Sequence, residues 1–340
     1  MSGTQTGLSE NLTIQDIADA LNISKTTVSR AISGKGRIGE ETRSRVLDYI
    51  ERKGYRPNPM AKGLASNRTY NIAWVMPGDS SFTELPFFQR CMSGVIEEAG
   101  NVDYDVLITM IYGQDNTGLK RIISNRKVDG VILGRTLVND PNIAFLKKSD
   151  VPFVVIGSTD EPDVIQVDND HVKACRELTE ILIMKGIRSI MLIGGDEDHV
   201  VNRSRRAGFE SAIENMKNMN ISVKSSIHMN IDNDSMTARL VDDALHDGVK
   251  CIICMDDLLC AYALDKLHRD NIDIPEDVRV ASFYNSELLH NNVPAVTALQ
   301  YDPLELGRTA AGKLFSLING EEVNTLTNLP YEVLLKGSTQ

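Results

Sequence analysis

The chain has 340 residues, 42% of them apolar and 24% charged, with a formal net charge of −11. That length suits two or three domains, and the composition excludes a disordered or collagen-like chain. No run of 18 apolar residues occurs and no apolar N-terminal segment of signal length, so the expectation is a cytoplasmic protein that stays off the membrane.

The first predicted element covers Ile14, Ile17, Ala18 and Leu21, an i, i+3, i+4, i+7 apolar stripe. Thr13 and Asp16 stand where a capping box would start such a helix. Asn22-Ile23 breaks the pattern, and Ser24 can cap a second helix from Lys25 to Ile32. Val28, Ala31 and Ile32 then face inward, leaving Lys25, Thr26, Ser29 and Arg30 outward. Two short helices joined by a tight turn form a helix-turn-helix. Short donors and long cations on the second suit base edges and phosphates. These two helices alone fit an ordinary surface hairpin equally well.

A third helix is expected from Glu40 to Lys53, opened by Gly39 and stopped by Gly54, with Val46, Leu47 and Ile50 inward. Then Asn58 can cap a short helix with Pro59 at its first position. Isolated helices need roughly 12–15 residues, and Gly63 costs this one about 1 kcal/mol relative to alanine. It therefore needs a partner. Charge is divided unevenly. Residues 1–70 hold 11 Lys/Arg against 7 Asp/Glu, a surplus of +4, so the remainder carries −15. A basic head on an acidic body suits a protein that meets phosphate with one end only.

Four pieces, Thr13-Ile14-Gln15-Asp16-Ile17-Ala18, Ser24-Lys25-Thr26-Thr27-Val28-Ser29-Arg30, Gly54-Tyr55-Arg56-Pro57-Asn58 and Gly63-Leu64-Ala65, resemble in order and spacing the headpiece of the lactose-repressor (LacI/GalR) family. The resemblance implies a transcription regulator with a small-molecule sensor and no catalytic or metal site. It places Lys25 and Thr26 against bases in the major groove, with Thr27, Ser29 and Arg30 beside them. Thr13 and Ser24 join the DNA-binding set. Leu64 matches a leucine that wedges into the minor groove from paired hinge helices, which bends the duplex, and Asn58 matches a hinge contact. The expected division is a headpiece at 1–57, a hinge at 58–69 and an effector domain at 70–340.

From Tyr70 onward, apolar runs alternate with helical stretches. Strands are expected at Asn71–Met76, Tyr104–Met110, Gly130–Leu133, Pro152–Ile156, Ser189–Ile193, Ser225–Met229, Lys250–Cys254 and Val278–Phe283. Helices are expected at Pro86–Gly100, Asn116–Arg126, Asn142–Lys148, Asn169–Lys185, Val200–Asn218, Asp234–His246, Asp257–Asp270 and Pro303–Asn319. The alternation predicts an α/β body of parallel sheets covered on both faces, with sites at strand carboxyl ends. Cys251 and Cys254 spell CxxC, but on one strand residues i and i+3 point to opposite faces, which argues for buried thiols rather than a metal or redox site.

The same resemblance implies a two-lobed, periplasmic-binding-protein-like sensor that the chain crosses three times, near Ile165, Ala295 and Asn324. Lobe one is then 70–165 with 296–323, and lobe two 166–295 with 324–340. It carries effector roles to Phe87 and Phe88, to Arg205 four before Phe209, and to Asp256, with Asp257 capping the next helix. Phe87 and Phe88 also fit two core aromatics at a helix start, and Arg205 a surface cation. Arg135 ends a first-lobe strand and is a further pocket candidate. Where many members carry an acid, this chain has Tyr284 in Ser282-Phe283-Tyr284-Asn285-Ser286. That run looks closer to maltose-type regulators, so maltose or another α-glucoside is the expected effector. The tail shows no heptad, which implies a homodimer on a pseudo-palindromic operator in double-stranded DNA. Two alternatives remain. One is a catabolite-control regulator with a phosphocarrier-protein partner. The other is an enzyme on a Rossmann-like sheet, which Met76-Pro77-Gly78-Asp79-Ser80-Ser81 opposes because it lacks GxGxxG.

Overall fold

The computed structural model describes residues 12–34, 36–55, 63, 67–78, 85–113 and 115–340. It divides into two compact units, Met1–Thr69 and Tyr70–Gln340. Asn58 and Leu64 lie outside the described residues.

The first unit contains α1 (Ile14–Leu21), α2 (Lys25–Ser33) and α3 (Glu40–Lys53). The capping box at α1 forms as its sequence predicts: the Thr13 N–H donates to Asp16 Oδ2 at 2.8 Å and the Asp16 N–H to Thr13 Oγ1 at 3.3 Å. Ser24 Oγ accepts from the Thr27 N–H at 3.1 Å. Gly54 ends α3 at φ +61°, a left-handed conformation that glycine adopts without strain. Ile17, Ala18, Val28, Ala31 and Val46 make the small core. Leu47 does not join it. It is 42% exposed, because Tyr49 and Ile50 follow Val46 at helical spacing and take the inner side.

The second unit holds two six-stranded sheets. The first orders β11-β5-β4-β3-β1-β2, from β1 (Asn71–Pro77), β2 (Asp105–Ile111), β3 (Gly130–Leu133), β4 (Phe153–Ile156), β5 (Ile165–Asn169) and β11 (Leu326–Leu329), all parallel. The second orders β12-β10-β9-β8-β6-β7, from β6 (Ser189–Ile193), β7 (Lys224–His228), β8 (Cys251–Cys254), β9 (Arg279–Ser282), β10 (Thr297–Gln300) and β12 (Glu332–Leu334). Only β12 runs antiparallel, on β10.

Helices cover both faces of each sheet, as the alternation predicts. They are α4 (Leu85–Gly100), α5 (Thr117–Ser124), α6 (Pro141–Leu146), α7 (His171–Met184), α8 (Val200–Asn218), α9 (Asp234–His246), α10 (Asp257–Arg269), α11 (Glu287–His290) and α12 (Pro303–Ile318). Trp74 and Ile132 bury toward α4 and α12, while Val75 and Leu133 bury toward α5 and α6. Cys251 and Cys254 enter cores on opposite faces of the second sheet, and all five cysteines are buried and unbridged.

The expected crossings each fall one strand early. β5 pairs with β4 and β11, so the first crossing follows Asn169 rather than Ile165. β10 pairs with β9, which moves the second from Ala295 to Tyr301–Asp302. β11 stays in the first sheet, which moves the third from Asn324 to Pro330–Tyr331. Lobe one is therefore 70–169 with 303–329, and lobe two 171–300 with 332–340. Asn169 is a strand residue and not the start of α7, whose N-cap is Asp170.

Side chains tie the crossings together. Asn169 Nδ2 donates to the carbonyls of Leu329 and Pro330, both at 3.1 Å. His171 Nδ1 lies 3.2 Å from the Tyr301 hydroxyl. The first crossing thus sits against the other two.

Candidate functional site

In the first unit, the site is the outer face of α2. Ser24 caps it and Thr27 bonds Ser24 through its hydroxyl at 2.8 Å, so these two hold the helix start. Lys25, Thr26, Ser29 and Arg30 are exposed along one side, while Val28 and Ala31 anchor the other. A short, well-anchored helix with two cations and two hydroxyls outward has the size and chemistry for a major groove. Thr13 is spent on the α1 cap, where its place is to aim that helix.

In the second unit, strand ends from both lobes converge on one cleft. It encloses about 120 Å³. All six expected effector residues line it: Phe87, Phe88, Arg135, Arg205, Asp256 and Tyr284. Their duties differ from one another. Phe88 is rooted in the lobe-one core, whereas Phe87 turns edge-on to Tyr284 of lobe two at 6.1 Å. Tyr284 stacks on Tyr301 with centroids 6.4 Å apart and planes 15° apart. Phe87, Tyr284 and Tyr301 thus form a chain of rings from lobe one to lobe two along the cleft lining.

Arg205 is only 8% exposed. Its Nη1 donates to the Met255 carbonyl at 2.7 Å, and its buried Nε has no protein partner. A buried guanidinium N–H without an acceptor is costly unless a ligand supplies one. Asp256 sits at the end of β8, and burial pushes its carboxyl above the ordinary value, against the pull of the Leu259 N–H and the Arg205 charge. Asp256 is itself the N-cap of α10, accepting from Leu259 N–H at 2.8 Å. The cap is therefore not Asp257, which lies inside the helix and lines the cleft, 3% exposed. Asp256 is the residue with extended backbone, and a cap requires that conformation.

Asp168, Asn169, His171 and Tyr301 also line the cleft and were not foreseen. Asp168 Oδ1 lies 3.2 Å from His171 Nε2, and its Oδ2 accepts from Ser158 Oγ at 2.6 Å. Burial opposes ionisation of Asp168, but the His171 ring, the Ser158 hydroxyl and the Asn169 N–H outweigh it and hold the carboxyl below its ordinary value. The signal that would have found them is the strand-end rule applied to β5 and β10, which are short and half polar.

The rim of the cleft is joined by backbone. Leu137 pairs antiparallel with His199, the Val138 N–H donates to Asp198 O at 2.9 Å, and the Val200 N–H donates to Thr136 O at 3.4 Å. Lobe one thus meets lobe two through main-chain bonds. Arg308 lies elsewhere, on α12, where Glu97 Oε2 accepts from its Nε at 2.9 Å and its Nη2 at 2.6 Å.

Residues 13–58 match the family described as bacterial regulatory proteins, lacI family, and residues 179–339 match the periplasmic binding protein-like domain. The transcriptional regulator MalR of Staphylococcus xylosus is 30% identical over 336 residues, covering 96% of this chain and 98% of that one. The chain belongs to the LacI family. It is a transcriptional regulator and not an enzyme. MalR of Streptococcus pneumoniae serotype 4 is 29% identical over 332 residues, covering 92% of this chain and 94% of that one. A solved structure from Staphylococcus aureus, described as a probable maltose operon transcriptional repressor, superposes with a TM-score of 0.74 at 26% identity, covering 81% of this chain and 99% of that one. Among the described residues no helix is long and apolar enough to cross a membrane, and no cluster of metal-ligating side chains occurs.

Proposed function

We propose that this regulator represses transcription from a pseudo-palindromic operator as a homodimer, and that a small carbohydrate in the interlobe cleft controls its grip. The observation that carries the effector half is the cleft's make-up: aromatic faces from both lobes, the unpartnered Nε of Arg205, and acceptors at Asp256 and Asp257. Rings with apolar faces and equatorial hydroxyls match that combination. Maltose or another α-glucoside is the first candidate, supported by the maltose operon assignment of the Staphylococcus aureus relative. Phe87, Phe88, Arg135, Arg205, Asp256 and Tyr284 would hold it. Lys25, Thr26, Thr27, Ser29 and Arg30 would read the operator, with Thr13, Ser24, Asn58 and Leu64 in support.

The homodimer is supported by β2, an edge strand whose outward residues Ile108 and Met110 are 54% and 42% exposed. Such an edge invites a second copy unless covered. The test is a titration of labelled operator duplex with and without maltose, trehalose, cellobiose and glucose. Two chains should bind each duplex, and one sugar should shift the midpoint. Equal affinity for operator and random duplex would end the DNA half, and indifference to every carbohydrate would end the effector half.

A further inference from the structure

The chain of rings Phe87, Tyr284 and Tyr301 does not end at Tyr301. The His171 imidazole stands edge-on to that ring, with centroids 4.9 Å apart and planes 67° apart. His171 and Tyr301 are 8% and 4% exposed, so their polar atoms must find partners inside the protein. Each imidazole nitrogen has one. Nε2 lies 3.2 Å from Asp168 Oδ1, and Nδ1 lies 3.2 Å from the Tyr301 hydroxyl. Asp168 is fixed in turn by the Ser158 hydroxyl, which donates to its Oδ2 at 2.6 Å. A carboxylate only accepts, so the imidazole in its neutral form carries its proton on Nε2 and leaves Nδ1 to accept from Tyr301.

Tyr284 depends on that anchorage for the direction of its ring. Its backbone is held by Ser282, whose Oγ donates to the Tyr284 carbonyl at 2.7 Å and accepts from the Tyr284 N–H at 3.2 Å. Those bonds fix the main chain and leave the side-chain torsions to be chosen by packing. The ring is stacked on Tyr301 and edge-on to Phe87. Phe87 stands on the opposite lobe, whereas Tyr301 belongs to the core against which Tyr284 packs. The stack on Tyr301 is therefore the support from Tyr284's own side of the cleft.

We infer, resting on the effector reading above, that His171 is a positioning residue of the cleft. It holds the Tyr301 hydroxyl, Tyr301 holds the Tyr284 ring, and the effector meets that ring already oriented. Two variants of the full chain test this. Tyr301→Phe deletes the hydroxyl and keeps the stack, and His171→Phe keeps an aromatic ring and deletes both nitrogens. Ring-13C tyrosine spectra give a readout without any ligand, with the Tyr284 signal assigned through Tyr284→Phe. Both variants should shift that signal. Calorimetry with maltose, trehalose, cellobiose and glucose gives the second readout. A sugar that binds the parent should bind Tyr301→Phe roughly two- to tenfold more weakly, the range for one hydrogen bond between neutral groups. The double variant should bind as His171→Phe does, because His171 acts through the hydroxyl that is already gone. Side chains that merely fill space would give losses that add. A Tyr284 signal unmoved by Tyr301→Phe, or additive losses, overturns the positioning role and leaves the effector reading standing. If the parent binds none of the four sugars, the carbohydrate reading falls, and the Tyr284 signal still decides the role of His171.

Discussion

His171 Nδ1 lies 3.2 Å from the Tyr301 hydroxyl, and through this contact the first and second crossings of the chain meet at the floor of the cleft. The other ring nitrogen of His171 faces Asp168. One imidazole therefore connects a lobe-one carboxylate, a lobe-two helix and the return segment to lobe one. Its pairing has a measurable pH signature.

The Asp168 carboxyl is held below its ordinary value in the folded protein. An acid with a depressed folded value contributes stability that is fully present above its unfolded value, and that stability is lost as pH falls through the folded one. Asp168→Asn should thus melt below the parent at neutral pH, and the difference should close on acidification below the carboxylate range. Melting temperatures of both proteins across pH would show it. A gap of constant size would mean that the carboxylate charge contributes nothing.

In the proposed effector site Arg205 would act through the geometry of its fork. Arg205→Lys keeps a positive charge but loses the planar fork that binds the Met255 carbonyl and leaves Nε for the proposed effector. Effector affinity should fall roughly tenfold to a hundredfold, the range for a lost hydrogen bond to a charged group. Operator affinity without effector should stay level. Unaltered sugar binding would move Arg205 out of the site.

The rim bonds suggest a staple. Leu137 and His199 stand opposite each other in an antiparallel bridge, a separation of about 4.5–5.5 Å between Cα atoms that a disulfide can span. A Leu137→Cys, His199→Cys double variant, oxidised, should release effector more slowly than its reduced form. Stopped-flow dissociation would compare the two. Equal rates with the disulfide confirmed by mass would show that ligand leaves by another route.

Gly94 and Gly307 allow α4 and α12 to touch backbone to backbone. A Cβ on Gly307 would collide with the Cys91 carbonyl, and one on Gly94 with the Leu304 carbonyl. Gly307→Ala should cost about 1–3 kcal/mol, the usual penalty of overpacking. Because α4 carries Phe87 and Phe88, sugar affinity should fall as well. Urea unfolding and calorimetry would read both. A stable variant with normal affinity would mean that the helices separate without consequence.

On the head, Lys25→Ala should weaken specific operator binding by about 1–3 kcal/mol, if the lysine reads a base. Fluorescence anisotropy on operator and scrambled duplexes separates the cases. Equal loss on both would reduce Lys25 to a phosphate contact.

The head was legible in the sequence because its signals are local. Thr13, Ser24 and Gly54 are caps, and each cap's chemistry lies within a few residues of itself. The central strands β1, β3 and β8 were legible because burial on both faces makes them continuously apolar. The strands β5, β10, β11 and β12 escaped. Ile165-Gln166-Val167-Asp168-Asn169 and Leu326-Thr327-Asn328-Leu329 are short, half polar and formed by pairing with distant segments. Missing those strands hid the cleft residues at their ends, Asp168, His171 and Tyr301. Of the adjacent acids, Asp257 was expected to cap and Asp256 does, since which one caps depends on a backbone angle and not on composition.

The pairing of β5 with β11 means that lobe one borrows its last strand from residues 326–329, near the far end of the chain. During synthesis the three head helices leave the ribosome long before either sensing lobe can finish, because one lobe waits for Leu326–Leu329 and the other for Glu332–Leu334. A nonsense codon before Leu326 would spare the groove-facing helix and strip β5 of a neighbour. Truncated alleles would then encode an operator binder with no working sensor, and the cell would experience them as unresponsive silencers or as degraded protein.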